Sequence, residues 1–109
     1  MHELGITRNI VAIVIEHAGE AQVKRVSLNI GKLSAIMPDA IRFCFDVCSK
    51  DTLLEGATLE INEIPGVARC EACGSEFEID QPFGHCQCGS NHIRCIAGED
   101  MKIKEMEVY

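Results

Sequence analysis

The sequence predicts an α+β fold: a three-stranded antiparallel sheet with two helices on one face, extended by a small metal-bound ribbon. Three observations carry that prediction. Residues 3–18 and the stretch opened by Pro38 repeat apolar side chains at helical spacing. Residues 22–30, 57–64 and 100–108 alternate apolar and polar side chains, as half-buried strands do. Before the last strand come Cys70-Glu71-Ala72-Cys73-Gly74 and His85-Cys86-Gln87-Cys88-Gly89, the sequence form of two knuckles on one tetrahedral metal.

In the first helix, Leu4, Val11, Val14 or Ile15, and Ala18 recur on one face, and Ile10 and Ile13 broaden it. Its β-branched run competes for strand, but the length of the segment favours helix. Gly19 supplies a stop, and His17 in the last turn suits the negative helix end. In the first strand, Val26, Leu28 and Ile30 alternate with Arg25, Ser27 and Asn29, and Gly31 ends it. Pro38 then opens the second helix, where its missing N–H costs nothing. Ile41, Cys44, Phe45 and Cys48 form the inner face at i, i+3, i+4 and i+7. Cys44 and Cys48 have the spacing of a metal pair, yet among Ile41 and Phe45 they read as small buried hydrophobes.

Leu59 and Ile61 mark the second strand, closed by Pro65-Gly66. Residues 67–96 then carry Val67, Phe77, Ile79, Phe83, Ile93 and Ile96 as their main large apolar side chains. So few cannot bury an adequate core, and a structural metal makes up the difference. The last strand alternates Met101 and Ile103, slips phase at Lys104-Glu105 and resumes with Met106 and Val108, which predicts a bulge there. Its apolar face finds little to cover it in the ribbon, so it returns to the first sheet. The expected domains are therefore 1–66 plus 97–109, and a zinc-ribbon domain over 67–96.

Zn²⁺ fits the knuckles because it is borderline-soft, accepts four thiolates and imposes no d-electron geometry. Cys70, Cys73 and Cys88 are three ligands. A regular second knuckle would place the fourth at His85, whereas the cysteine stands one residue later, at Cys86. The fourth ligand is Cys86 or His85; Cys86 is favoured, since a thiolate adds charge neutralisation and a turn one residue shorter is tolerable. Cys44, Cys48 and Cys95 remain, an odd number that does not suit a disulfide framework.

The chain has 109 residues, 47% hydrophobic and 25% charged, as in soluble globular proteins. A net charge of −7, no tryptophan and one tyrosine argue against a polyanion-binding surface and for metals or basic partners. The longest apolar run, Ile10–Ile15, is far too short to cross a bilayer. Met1-His2-Glu3 lacks the basic start of a secretory signal, so a reducing cytoplasm is expected. No spaced catalytic set and no phosphate loop is visible, which predicts a protein that is not an enzyme.

The amino terminus holds the remaining chemistry. Histidine at position 2 is too large for removal of the initiator, so Met1 should be retained. An α-amine at Met1, the amide and imidazole of His2 and the amide of Glu3 would then offer four nitrogens in fused chelate rings. A planar nitrogen set selects Ni(II) or Cu(II) over zinc. Alone this signal is weak, because a solvated terminus with a chance histidine is the commoner case.

Taken together the parts resemble the HypA/HybF family of nickel metallochaperones for [NiFe]-hydrogenase maturation. The resemblance rests on Met1-His2-Glu3-Leu4, Ile30-Gly31-Lys32-Leu33-Ser34, Phe43-Cys44-Phe45-Asp46, Leu54-Glu55-Gly56-Ala57, the two knuckles, and Ile103-Lys104-Glu105-Met106-Glu107-Val108, and covers the full length. It implies Ni(II) held by His2 and the amine and amide nitrogens around it, with Glu3 as an immediate neighbour affecting binding or transfer. It also implies structural Zn(II) on Cys70, Cys73, Cys86 and Cys88, a HypB-type GTPase partner, and the hydrogenase large subunit as recipient. The departure is the second knuckle, where the family usually shows CPxC.

Two competing readings stand beside it. One is a zinc-ribbon module for nucleic-acid or protein interaction; against nucleic acid, residues 67–96 set only Arg69 and Arg94 against Glu71, Glu76, Glu78 and Asp80. The other is a thiol-redox enzyme using Cys70 and Cys73.

Overall fold

Helix α1 spans His2–Ala18 in the computed structural model, which describes residues 2–109. Its buried side chains are Thr7, Ile10, Val11 and Val14, a stripe at i, i+3, i+4 and i+7. Thr7 holds a core position because its hydroxyl donates to the carbonyl of Glu3 at 2.6 Å and leaves no unpaired polar atom. Ile13 lies outside the stripe, 43% exposed. Two residues beyond Val11 is about 200° around the helix, so the expected broadening of the face stops short of it.

Strand β1, Val23–Gly31, buries Val23, Val26, Leu28 and Ile30 completely. Helix α2, Pro38–Ser49, buries Ile41, Cys44 and Phe45 and packs on α1. These residues and the α1 stripe are the main hydrophobic core. Strands β2, Thr58–Ile64, and β6, Met101–Val108, flank β1, giving the order β2-β1-β6. The other face of β1 is a polar lattice. Ser27, fully buried, donates to the Glu60 carboxylate at 3.1 Å and accepts from the Asn62 amide at 3.0 Å. Arg25 pairs with Glu60, Glu105 and Glu107 at 3.3–3.5 Å, one guanidinium tying both outer strands to the middle one.

A second sheet forms within the stretch read from sequence as a metal-organised ribbon. Strands β3, Gly66–Cys70, β4, Glu76–Ile79, and β5, Ile93–Ala97, run in the order β4-β3-β5, both pairs antiparallel. Arg69 stands opposite Glu76 in the register, and the two form an ion pair. Short strands explain why the sequence did not announce this sheet: Phe77 and Ile79 alternate with Glu76 and Glu78, a period-2 signal only four residues long.

The chain divides into two compact units. One comprises residues up to Asn29, Ile36–Asn62 and Lys102–Tyr109; the other comprises Ile30–Ala35 and Glu63–Met101. The second is therefore wider than the 67–96 expected, for a local reason. Backbone bonds of 2.8 Å run from Gly31 to the Asp100 carbonyl, from Lys32 to Ile64 and from Leu33 to Gly98, which ties the flanking segments to the ribbon. Glycine is required at this crossing: a Cβ on Gly31 would sit 2.1 Å from the Gly98 carbonyl oxygen, and Gly98 itself has φ of 91°.

Candidate metal centre

Strand β3 delivers Cys70 at its end, and a tight loop returns Cys73 to the same side. The Gly74 N–H donates to the Cys70 carbonyl and the Cys70 N–H to the Ser75 carbonyl, both at 2.8 Å, with Gly74 at φ of 80°. The second knuckle repeats this pattern one residue shorter. The Gly89 N–H donates to the Cys86 carbonyl and the Cys86 N–H to the Ser90 carbonyl, both at 2.9 Å, with Gly89 at φ of 95°. The first loop thus closes from residue 70 to 74 and the second from 86 to 89. Loss of one residue is absorbed by the turn, and the Cys86 sulfur still reaches the cluster.

The Sγ atoms of Cys70, Cys73, Cys86 and Cys88 all lie within 4.8 Å of one another. Cys70 and Cys88 are 3.7 Å apart, and Cys73 and Cys86 are 3.5 Å apart. A tetrahedron of sulfurs at about 2.3 Å from Zn²⁺ has edges of about 3.8 Å, so the four-cysteine cluster fits a zinc site. Cys70 and Cys86 are buried, while Cys73 and Cys88 open to solvent. His85 is exposed and is not part of this group.

The electrostatics of the four thiols differ. The Ser75 hydroxyl, 3.2 Å from the Cys73 sulfur, and the Ser75 N–H stabilise the thiolate; with smaller help from Cys86 and Cys70 they lower Cys73 to about 6. Cys70 is lowered too, first by the backbone N–H of Cys73 and then by that of Ala72, against the effect of burial. At Cys86 the Cys88 N–H favours the thiolate, but burial and the sulfurs of Cys73, Cys88 and Cys70 together push it up to about 12. Four crowded thiols cannot all ionise unless a cation sits among them. Ser75 is the residue that sequence reasoning missed. Its signal was present: a hydroxyl two residues beyond a ligand, in a turn, is placed to bond that ligand.

At the other predicted site, His2 is the first residue of α1 and is exposed. Met1, the proposed source of the α-amine, lies outside the described residues. Glu3 is half-buried, and its carboxylate accepts from the Met37 N–H at 3.4 Å. The helix was expected from residue 3 and begins one residue earlier, so the amides of His2 and Glu3 fall among the first-turn N–H groups that have no acceptor within the helix.

A family described as "Hydrogenase/urease nickel incorporation, metallochaperone, hypA" matches the chain over residues 1–108. The hydrogenase maturation factor HypA of Trichormus variabilis is 67% identical over 108 residues, covering 99% of this chain and 96% of that protein. The HypA of Geobacter metallireducens is 47% identical over 109 residues, with 99% of both chains covered. A solution structure of a HypA protein superposes with a TM-score of 0.76 at 25% identity, covering 100% of this chain and 97% of that one. The Ni metallochaperone HypA from Helicobacter pylori shares the fold, with a TM-score of 0.68 at 23% identity over 97% of this chain and 96% of that one.

Proposed function

The chain belongs to the HypA family of hydrogenase maturation factors, and we propose that it binds Ni(II) at its amino terminus and hands it on during [NiFe]-hydrogenase maturation. In this reading the Met1 amine, the His2 imidazole and the His2 and Glu3 amides surround the ion, and nickel is cargo. The observation that carries it is His2 at the first position of α1, exposed, beside amides without helical acceptors. A planar nitrogen set of that kind suits Ni(II). Glu3 would contribute its amide while its carboxylate accepts from the Met37 N–H.

Cys70, Cys73, Cys86 and Cys88 would hold Zn(II) as a structural cross-link. All four positions are then filled by protein, which leaves no open coordination site for chemistry. A HypB-type GTPase is the proposed partner in loading or release, and the hydrogenase large subunit the proposed recipient. The chain itself would perform no catalysis, and a reducing cytoplasm would keep its thiols free.

The test is a metal analysis of untagged protein before and after exposure to Ni²⁺. One zinc per chain before, and one nickel gained with zinc retained afterwards, is the expected result. Nickel that displaces zinc one for one would overturn the assignment of separate sites.

A further inference from the structure

Helix α2 is apolar on two faces. Ile41, Cys44 and Phe45 face the core. Away from the core face, half-buried Ala40 and exposed Phe43 and Val47 follow one another at spacings of three and four residues. Phe43 is 72% exposed and Val47 is 57% exposed. Such a seam is the spacing one helix offers to another at a shallow crossing angle.

Its surroundings select the occupant. Asp39 and Asp46 repeat at i and i+7 along one flank of the seam. Arg42 leans on Asp39 at 3.9 Å. At the carboxyl end of α2 lies a cleft of about 450 Å³, lined by Phe45, Asp46, Ser49, Lys50, Leu54 and Glu55, which shares Asp46 with the flank of the seam. Ser49 there is 3% exposed, and its buried hydroxyl has no hydrogen-bond partner among the described residues. A buried hydroxyl left unpaired is costly, and it lines an open cleft. Two carboxylates and the negative end of α2 outweigh Lys50 at the rim, so the cleft favours a cation.

We propose that the outer face of α2 docks an amphipathic helix of a partner protein, with an apolar seam flanked by Lys or Arg, one of whose basic side chains enters the cleft and bonds Ser49 and Asp46. A second copy of this chain is disfavoured: its net charge is also −7, and its own seam is flanked by the same acids. The surface does not depend on the nickel reading, since neither His2 nor the cysteine cluster contributes to it.

The test uses full-length, zinc-loaded, isotope-labelled protein and three synthetic helices of roughly 18 residues, long enough to fold. One has a leucine seam flanked by lysines, one has the same seam flanked by glutamates, and one is a scramble of the lysine peptide. The lysine peptide should shift the amides of 36–50 and bind at least about tenfold more tightly than the other two. Phe43→Ser with Val47→Ser should weaken it by at least about tenfold. Ser49→Ala should weaken it by about threefold or more without loss of folding. All variants should keep native amide dispersion, because Phe43 and Val47 are surface residues and the buried Ser49 hydroxyl has no partner to lose. Equal binding by the scramble, shifts confined to other residues, or a dimer in sedimentation that the double variant abolishes would each overturn the proposal.

Discussion

The Glu3 carboxylate accepts a hydrogen bond from the Met37 N–H at 3.4 Å, so the first turn of α1 caps the start of α2. Met37 is the N-cap of α2 and has no capping side chain of its own. In a capping box, a Glu three residues into the helix would bond the N-cap N–H. Here a Glu 34 residues away does so, and an exposed hydrogen bond joins the residue beside the proposed nickel ligand to the second helix.

Glu3→Ala should therefore destabilise the protein by about 1 kcal/mol, as loss of a cap does. For a chain of this size that is a drop of about 4–8 °C in melting temperature. Glu3→Gln should retain most of the stability, because its side-chain oxygen still accepts. Urea unfolding of the two variants checks this, with zinc content unchanged in both.

Gly31→Ala and Gly98→Ala should each destabilise strongly. A Cβ on Gly31 would meet the Gly98 carbonyl oxygen at 2.1 Å, and one on Gly98 would meet the Gly66 Cα at 2.5 Å. Those neighbours are backbone and cannot rotate away. Losses of about 1–3 kcal/mol or more are expected, larger at Gly98, where φ of 91° adds strain. Gly5→Ala, with nothing near its Cβ, is the control and should leave stability equal or slightly higher.

The two helices, the strands of the first sheet and the paired cysteines were legible in the sequence because each has a long or strongly spaced signal. Ile41, Cys44 and Phe45 lie in the core where helical spacing put them. What was not legible depends on partners distant in sequence. Thr7 reads as polar, and only its bond to the Glu3 carbonyl lets it be buried. Ser27 sits on the polar face of an alternating strand, yet Glu60 and Asn62 bury it fully. The sheet formed by β3, β4 and β5 escaped because strands of four or five residues give too few alternations to read. At the cluster, the spacing left Cys86 and His85 open; the shorter hydrogen-bonded turn from 86 to 89 is a backbone fact that spacing alone does not supply.

Cys73→Ala should abolish zinc retention and disorder the ribbon. The segment has little apolar core, and metal binding there is coupled to folding. Amide signals from 67–96 should collapse while those of α1 and α2 keep their dispersion. A full zinc equivalent in this variant would contradict the four-thiolate reading.

Zinc affinity should fall as pH falls, in two regimes. Cys86, held up to about 12, is a thiol at every pH below that, so zinc must displace its proton throughout. Cys73, lowered to about 6, is already a thiolate above that value and adds a further proton only below it. The loss should be at least about tenfold per pH unit between 9 and 6, and steeper below 6. Competition against a chromophoric chelator across this range reads the slope; a flat profile down to pH 6 would be inconsistent with it.

The most direct measurement is a Ni²⁺ titration by calorimetry of three proteins: the untagged chain, the chain extended by one residue before Met1, and His2→Ala. One added residue moves the free amine away from His2 and breaks the chelate, while His2→Ala removes the imidazole. One nickel per untagged chain is expected, its binding weakening as pH falls because the nitrogens must shed protons to coordinate. Each altered protein should lose at least about 100-fold in affinity with zinc content and folding intact. Equal nickel affinity in all three would contradict the account, because the ion would then be held away from the amino terminus.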